Sequence, residues 1–174
     1  MQQLVQLANL STERSDPTQL LAPMIPTGVR LAKAMLHDAQ AAEDAVQEAS
    51  LIAWKKLSQG VWPEKPQAWF LGVVANECRN ARRGKWNIAV RLGLGDEHHV
   101  APADERVLRG SDLRRALARL PHADRLVVVL FYYLDLPLDE VATTAGISVA
   151  AARSRLYRSV RRLRPELAVE EALS

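Results

Sequence analysis

The sequence predicts an all-α protein made of two small helical domains joined by a flexible linker. Hydrophobic residues make up 48% of the 174 residues, yet aromatic residues make up only 5%. The apolar content is therefore mostly Ala, Leu and Val, and Ala and Leu favour helices whereas aromatic residues favour strands. Apolar residues recur at spacings of three and four along most of the chain. Residues 87–110 lack that spacing and contain glycines, a proline and mixed charges, which are typical of a linker.

The overall composition excludes several classes of protein. The formal net charge of +3 permits nucleic-acid binding without requiring it, so a prediction of such binding depends on where the charges lie along the chain. Cys78 is the only cysteine, which excludes an internal disulfide and a cysteine-based zinc site. No apolar run approaches the about 18 residues of a membrane span, and the N-terminus lacks the pattern of a signal peptide. We therefore predict a cytoplasmic protein with no membrane insertion.

The first elements are marked by prolines and caps. Residues 1–15 read as an N-terminal tail. Asp16 and Pro17 predict a helix start, with Asp as the N-cap and Pro in the first turn. Pro23 and Pro26 predict a break or kink in that helix. Thr27 is then predicted to cap a second helix that runs to about residue 37.

The stretch AEDAVQEASLIAW, residues 42–54, predicts a helix with an acidic outer face. Its small apolar residues recur at helical spacing and form a core face. Glu43, Asp44, Gln47 and Glu48 fall outside that face. A helical di-iron site would need Glu-x-x-His pairs, and the chain contains none. The acids are therefore either a solvated face or a docking surface for a basic partner.

A loop over residues 58–66 separates this helix from the next, which Pro66 is predicted to begin. Phe70, Leu71, Val74 and Cys78 form the predicted core face of that helix. Polar and basic residues lie on another face at spacings of three and four, and they are Asn76, Arg79 and Arg83.

The C-terminal part of the chain predicts a helix-turn-helix. Ser111-Asp112 is predicted to cap one helix and Pro121 to begin the next. LDEVATTAG then reads as a short helix ending at Gly146, and Ser148 as the N-cap of VAAARSRLYRSVRRLR. That last helix carries six arginines and no acid, so it is either a solvated basic face or a DNA-reading helix. Arginine suits the second role because it binds guanine bidentately and pairs with phosphates.

Three segments together resemble bacterial RNA polymerase sigma factors of the extracytoplasmic function group. They are AEDAVQEASLIAWKKL, AWFLGVVANECRNARRGK and ALARLPHADRLVVVLFYYLDLPLDEVATTAGISVAAARSRLYRSVRRLR. The resemblance covers about residues 27–86 and 111–166. It implies a region 2 domain at 16–86 that binds core polymerase and the −10 element, and a linker at 87–110. A region 4 domain at 111–168 would bind the −35 element and the flap of the β subunit, before a C-terminal tail at 169–174.

The resemblance also implies residue roles. Asp44, Gln47 and Glu48 correspond to positions that dock on the clamp helices of the β′ subunit. Asn76 corresponds to a position that helps to hold a flipped −10 base, and Arg79, Arg82 and Arg83 would hold phosphates. We add Trp62 as a stacking face for melted DNA, with Lys56 beside it. In the second domain the expected −35 contacts are Arg153, Ser154, Arg155, Tyr157 and Arg158.

The chain departs from the family pattern in three places, of which one is the short basic run after region 2, ARRGK. Pro23 and Pro26 interrupt the first helix of region 2. The usual Gly-Thr-Val-Lys of the recognition helix is Ala-Ala-Ala-Arg at residues 150–153, which removes a threonine hydroxyl. The promoter sequence therefore cannot be copied from relatives.

The predicted function is a non-catalytic specificity subunit of core RNA polymerase that needs no cofactor and is controlled by an anti-sigma factor. Two alternatives stay open at this point. One is a free-standing helix-turn-helix regulator that acts without polymerase. The other is an enzyme such as a recombinase, for which only serines and tyrosines such as Ser50 and Tyr157 offer a nucleophile.

Overall fold

The computed structural model describes residues 16–91 and 108–171, and within them every regular element is helical. The eight α-helices are numbered in chain order. They are α1 (Pro17–Leu21), α2 (Ile25–Leu36), α3 (Ala39–Ser58), α4 (Pro66–Arg91), α5 (Leu108–Arg119), α6 (His122–Val128), α7 (Leu138–Ala145) and α8 (Val149–Glu171). A 3-10 turn, Ala22–Met24, joins α1 to α2, and a π-helical turn, Val129–Tyr133, follows α6. No described helix is long and apolar enough to cross a bilayer.

The first domain begins at the predicted cap. The Oδ1 atom of Asp16 accepts a hydrogen bond of 2.9 Å from the backbone N–H of Thr18. The prediction that Thr27 caps the second helix is wrong, because α2 begins two residues earlier with Pro26 in its first turn. Proline suits that position, since the N–H it lacks has no partner within a helix there. The interruption predicted at Pro23 is confirmed as the 3-10 turn.

Helices α3 and α4 form the hairpin that positions the first domain's outer surfaces. Asp38 caps α3 by accepting from the backbone N–H of Ala41 at 3.0 Å. Helix α4 begins at Pro66 as predicted but continues to Arg91, so the first residues of the predicted linker are helical. Residues 87–91 contain neither glycine nor proline, so nothing in them ends a helix.

The second domain contains the predicted helix-turn-helix. Gly146 ends α7 in the left-handed conformation, with φ of 65°, and the Oγ of Ser148 accepts from the N–H of Ala151 at 3.2 Å to cap α8. The predicted cap at Ser111-Asp112 is wrong, because α5 already begins at Leu108. Residues 92–107, which hold the rest of the predicted linker, lie outside the described residues, as does the N-terminal tail.

The two domains pack against each other. One continuous buried cluster includes Met35 and Leu71 of the first domain and Leu130 and Val141 of the second. The Oγ1 of Thr144 in α7 donates to the carbonyl of Ala68 in α4 at 3.1 Å. At the exposed edge of the contact, Lys65 pairs with Asp139, and Arg30 donates to the carbonyl of Tyr133 at 3.0 Å.

Arg125 is a charged side chain inside this core. It is 3% exposed, and its guanidinium donates to four backbone carbonyls. Those of Leu117, Ala118 and Leu120 belong to the C-terminal end of α5 and the residue after it, whereas that of Met35 belongs to α2 in the first domain. Burial lowers the pKa of Arg125 to about 10, with a further contribution from Arg82. The guanidinium therefore stays charged at neutral pH and donates hydrogen bonds to carbonyl groups at the C-terminal ends of two helices.

Candidate functional surfaces

Helix α3 presents the predicted acidic residues to solvent. Its opposite face, which includes Ala45, Ala49 and Ala53, is buried in the core. Glu43, Asp44, Gln47 and Glu48 are all exposed, and they form what we call the acidic surface. The Oδ1 of Asp44 accepts from the Nε2 of Gln40 at 3.0 Å, which orients that carboxylate on the helix. An array of exposed acids and an amide is suited to a basic partner, because charge-assisted hydrogen bonds fix its orientation.

Two large apolar side chains extend the acidic surface, and sequence reasoning missed them. Leu51 is 59% exposed and Trp54 is 49% exposed. They follow Gln47 by four and seven residues, so they lie on the same face of α3. The signal was present in the sequence, since neither residue falls on the core spacing of this helix. Exposed tryptophan beside charged groups is typical of a protein interface, in which aromatic side chains supply much of the binding energy.

Helix α4 brings together the polar and basic residues predicted to bind the −10 element. Asn76, Arg79, Arg82 and Arg83 are all exposed, and we call them the α4 basic face. The Oδ1 of Asn76 accepts from Arg79 Nη1 at 3.1 Å. That bond leaves the two amide hydrogens of Asn76 available to an acceptor on a base.

Lys56 and Trp62, the two other residues predicted to lie beside the −10 strand, differ in exposure. Lys56 is exposed near the C-terminal end of α3. Trp62, in the loop between α3 and α4, is half-buried and packs against the core cluster. Only part of its ring therefore faces solvent.

Helix α8 presents Arg153, Ser154, Tyr157 and Arg158 to solvent. Tyr157 is 66% exposed, and the guanidinium of Arg161 lies 6.0 Å from its ring centroid. The inner side of the helix is anchored by buried Ala152 and Ser159. Tyr157 lies four residues after Arg153, and Arg158 lies four residues after Ser154, so the exposed residues form one face of a helix of the size that a DNA major groove admits.

Arg155 differs from the other predicted −35 residues. It is half-buried, and its Nε lies 3.6 Å from Oδ1 of Asp124 in α6. The other carboxylate oxygen of Asp124 accepts from Nη1 of Arg162 at 3.2 Å. Asp124 thus holds two arginines on the side of α8 that faces its own domain.

Two histidines are held in their neutral form by the fold. Burial, together with Arg82, Arg79 and Arg125, lowers the pKa of His122 to about 4. Burial and neighbouring arginines also lower the pKa of His37. Neither ring nitrogen of His122 bonds to a described residue. Arg79 and Arg82, which contribute to the lowered pKa of His122, belong to the α4 basic face.

The described residues hold no group of three or more His, Cys, Asp or Glu side chains that could bind a metal ion. Cys78 is buried, and burial raises the pKa of its thiol to about 12. It therefore has the character of a core residue and not that of a reactive nucleophile.

Comparison with known proteins identifies both domains. The family model for Sigma-70 region 2 matches residues 22–88, and that for Sigma-70, region 4 matches residues 111–163. The chain is 27% identical over 144 residues to RNA polymerase sigma factor SigV of Bacillus subtilis (strain 168), which spans 82% of this chain and 85% of SigV. It is 33% identical over 144 residues to ECF RNA polymerase sigma factor SigL of Mycobacterium tuberculosis, which spans 78% of this chain and 79% of SigL. The fold matches the sigma factor RpoE, solved with the anti-sigma factor NepR from Bartonella quintana, with a TM-score of 0.72 and 24% identity over 87% of this chain and 96% of that chain.

Proposed function

Because the chain belongs to the extracytoplasmic function group of sigma-70 RNA polymerase sigma factors, we propose that it binds core RNA polymerase and directs it to promoters with −10 and −35 elements. One observation carries the proposal. Both sigma regions occur on one chain in the family order, and each carries an exposed charged helix face on a well-packed domain.

The acidic surface is the proposed dock for the clamp helices of the β′ subunit. Asp44, Gln47 and Glu48 would set the register by charge-assisted hydrogen bonds. Leu51 and Trp54 would supply the apolar centre of the interface, since rim charges alone contribute more to association rate and orientation than to affinity. The flap of the β subunit is the proposed partner of the second domain.

The α4 basic face is the proposed site for the melted −10 strand. Asn76 would bond to the edge of an unstacked base, while Arg79, Arg82 and Arg83 hold the phosphates. Lys56 and the exposed part of the Trp62 ring would flank the strand.

Helix α8 is the proposed reader of the −35 element. Arg153 and Ser154 lie in its first turns, where base contacts are usual, and Tyr157 and Arg158 follow on the same face. Arg155 belongs to the proposed set only if its pair with Asp124 opens on binding.

The protein would act as a subunit and not as an enzyme, in the cytoplasm where its polymerase and promoters are found. It would need no cofactor. An anti-sigma factor is its proposed regulator, because the similar RpoE structure contains one.

Reconstituted transcription tests the proposal directly. The protein is added to sigma-free bacterial core polymerase on genomic DNA of its host, and transcript starts are sequenced. Discrete new starts that share an upstream motif near −35 and −10 are expected. Absence of any binding to core polymerase would overturn the proposal and would favour the alternative function, a free-standing helix-turn-helix regulator.

A further inference from the structure

The first turn of α8 exposes apolar side chains to solvent. Val149, Ala150 and Ala151 directly follow the cap residue Ser148, and all three are exposed. Val149 is 42% exposed. A single exposed apolar residue is normal on a protein surface, but here three occur in succession at one end of a helix. These side chains are available to a partner that covers the N-terminal end of α8.

The same turn lacks the acids that the two preceding helices carry. Asp124 lies in the first turn of α6, and Asp139 and Glu140 lie in the first turn of α7, whereas the first turn of α8 contains no acidic residue. Carboxylates stabilise the first turn of a helix because they oppose the positive end of its dipole. Helix α8 forgoes that stabilisation, and its N-terminal end carries no negative side chain that would repel phosphates. This end of the helix is therefore suited to a close approach to DNA.

The first turn also lies in line with the residues proposed to contact the −35 element. Residues four apart lie one above the other on a helix. Four of the proposed −35 residues form two columns of this kind, and each column begins with an apolar residue. The columns are Val149-Arg153-Tyr157 and Ala150-Ser154-Arg158. Val149 and Ala150, which we call the apolar pair, therefore lie at the N-terminal end of the DNA-facing side, where recognition helices contact base edges.

The apolar pair can recognise only one feature of the base edges. The side chains of valine and alanine neither donate nor accept a hydrogen bond. In the major groove the bases present donors, acceptors and a single apolar group, which is the C5-methyl group of thymine. Contact with that methyl group removes apolar surface of both partners from water and so favours thymine. Cytosine carries a hydrogen at the same ring position and offers no such contact.

We propose that Val149 and Ala150 form an apolar contact that reads the C5-methyl group of a thymine in the −35 element. The inference rests on the proposed function, because it takes the −35 element as the DNA that α8 meets. It adds a specificity-determining pair to the polar and aromatic residues of α8, and this pair selects thymine without a hydrogen bond. The preferred DNA should therefore contain a thymine at one fixed position of one strand.

Replacement of thymine by deoxyuridine isolates the methyl group. Deoxyuridine keeps every hydrogen-bonding group of thymine and lacks only the C5-methyl. Preferred sites are selected from random duplex DNA by the full chain, both bound to core polymerase and alone. Each thymine of the selected motif, on either strand, is then replaced singly, and dissociation constants are measured by fluorescence anisotropy. One replacement should weaken binding about fourfold, the factor expected for burial of one methyl group, and the others should change it little.

Variants of the protein assign the contact to the apolar pair. Val149→Ala removes two methyl groups from the first turn, so the ratio of the deoxyuridine to the thymine dissociation constant should fall from about four towards one. Ala150→Ser places a hydroxyl group against the methyl group and should lower the ratio as well. Leu113→Ala is the matched control, because it shortens a side chain of α5 that is 47% exposed, and it should leave the ratio at about four. All three positions are exposed, so the substitutions should change stability little.

Several results would overturn the inference. They are a selected motif without thymine on either strand, a ratio near one at every thymine in the wild type, and an equal ratio in Val149→Ala and the wild type. A chain that selects no sequence in either form would overturn the inference together with the proposed function.

The two proposals otherwise fail in different ways. A chain that binds no core polymerase, but alone selects a site and shows the deoxyuridine effect, keeps the apolar contact and removes the sigma function. A chain that directs transcription from discrete promoters, but shows no deoxyuridine effect at any thymine of the −35 motif, removes the apolar contact and leaves the sigma function intact.

Discussion

Replacing Arg125 by methionine tests how the buried guanidinium holds the fold together. Arg125 donates to four carbonyls at distances from 2.5 to 3.3 Å, and three of them close the end of α5. Methionine fills a similar volume but donates nothing. The carbonyls would remain near the core without the donor that now satisfies them.

The expected loss follows from opposing contributions. Hydrogen bonds to a charged group contribute about 1.5–3 kcal/mol each. Burial of the guanidinium offsets several kcal/mol of that gain, and its lowered pKa reflects this cost. Removing one partner of a buried charged network typically costs about 3–5 kcal/mol. Since Met recovers apolar contact, we expect Arg125→Met to lower the free energy of unfolding by about 3 kcal/mol. In a chain of this size that corresponds to a fall in Tm of about 6–12 °C.

Thermal and urea unfolding of the full chain measure this loss. Arg83→Met is the matched control, because it makes the same replacement at an exposed position of α4, where a change within about 0.5 kcal/mol is expected. If the two variants melted at the same temperature, the four hydrogen bonds of Arg125 would make no net contribution to the free energy of unfolding. The account of this side chain as the element that ties α5 to α2 would then be refuted.

Three further predictions concern the surfaces and the response to pH. Asp44→Ala combined with Gln47→Ala should weaken binding to core polymerase in a fluorescence titration while binding of duplex −35 DNA is unchanged; unaltered core binding would remove the docking assignment. Arg153→Ala should cost about 1–3 kcal/mol in binding to the −35 duplex, measured by anisotropy, with core affinity unchanged. Equal losses in both assays would contradict the separation of the two surfaces. Because the pKa of His122 is lowered in the folded protein, the unfolded chain binds a proton at a higher pH than the folded chain does. The free energy of unfolding should therefore decrease as the pH is lowered from 6.5 to about 4. Urea midpoints across that range should depend less on pH in His122→Asn, and an unchanged slope would refute the assignment.

Local signals in the sequence predicted much of the fold because each of them depends only on the backbone conformation of neighbouring residues. Asp16, Gly146 and Ser148 each act within a few residues, and the structure confirms all three. The errors arose where two local signals competed. Thr27 was a plausible cap, but Pro26 can already begin a helix. The contact of Thr144 with Ala68 joins residues 76 positions apart, and no periodicity encodes such a pairing.

The candidate surfaces were predictable to the extent that exposure follows helical spacing. The acids of α3 and the arginines of α4 lie outside the core spacing, and the structure exposes them. The spacing of Leu51 and Trp54 places them on the same face, but an apolar side chain carries less information about a binding partner than a charged one does, so neither was predicted as functional. The pairing of Arg155 with Asp124 was not predictable, because it depends on how α6 packs against α8. The roles of these residues in binding remain predictions.

The position of Asp124 has a consequence for how the recognition helix responds to salt. Among the described residues of α8, it pairs with both Arg155 and Arg162, so its one negative charge offsets one of their two positive charges, while Arg153, Arg158 and Arg161 have no carboxylate partner. Only unneutralised cations displace the counterions condensed on DNA, at about 0.9 per phosphate contact. If every net positive charge of these five arginines met a phosphate, binding of the −35 duplex would fall with the logarithm of salt concentration with a slope of about −3.6, where five unpaired arginines would give about −4.5. One carboxylate on a neighbouring helix thereby makes the interaction with DNA less dependent on ionic strength than the number of arginines suggests.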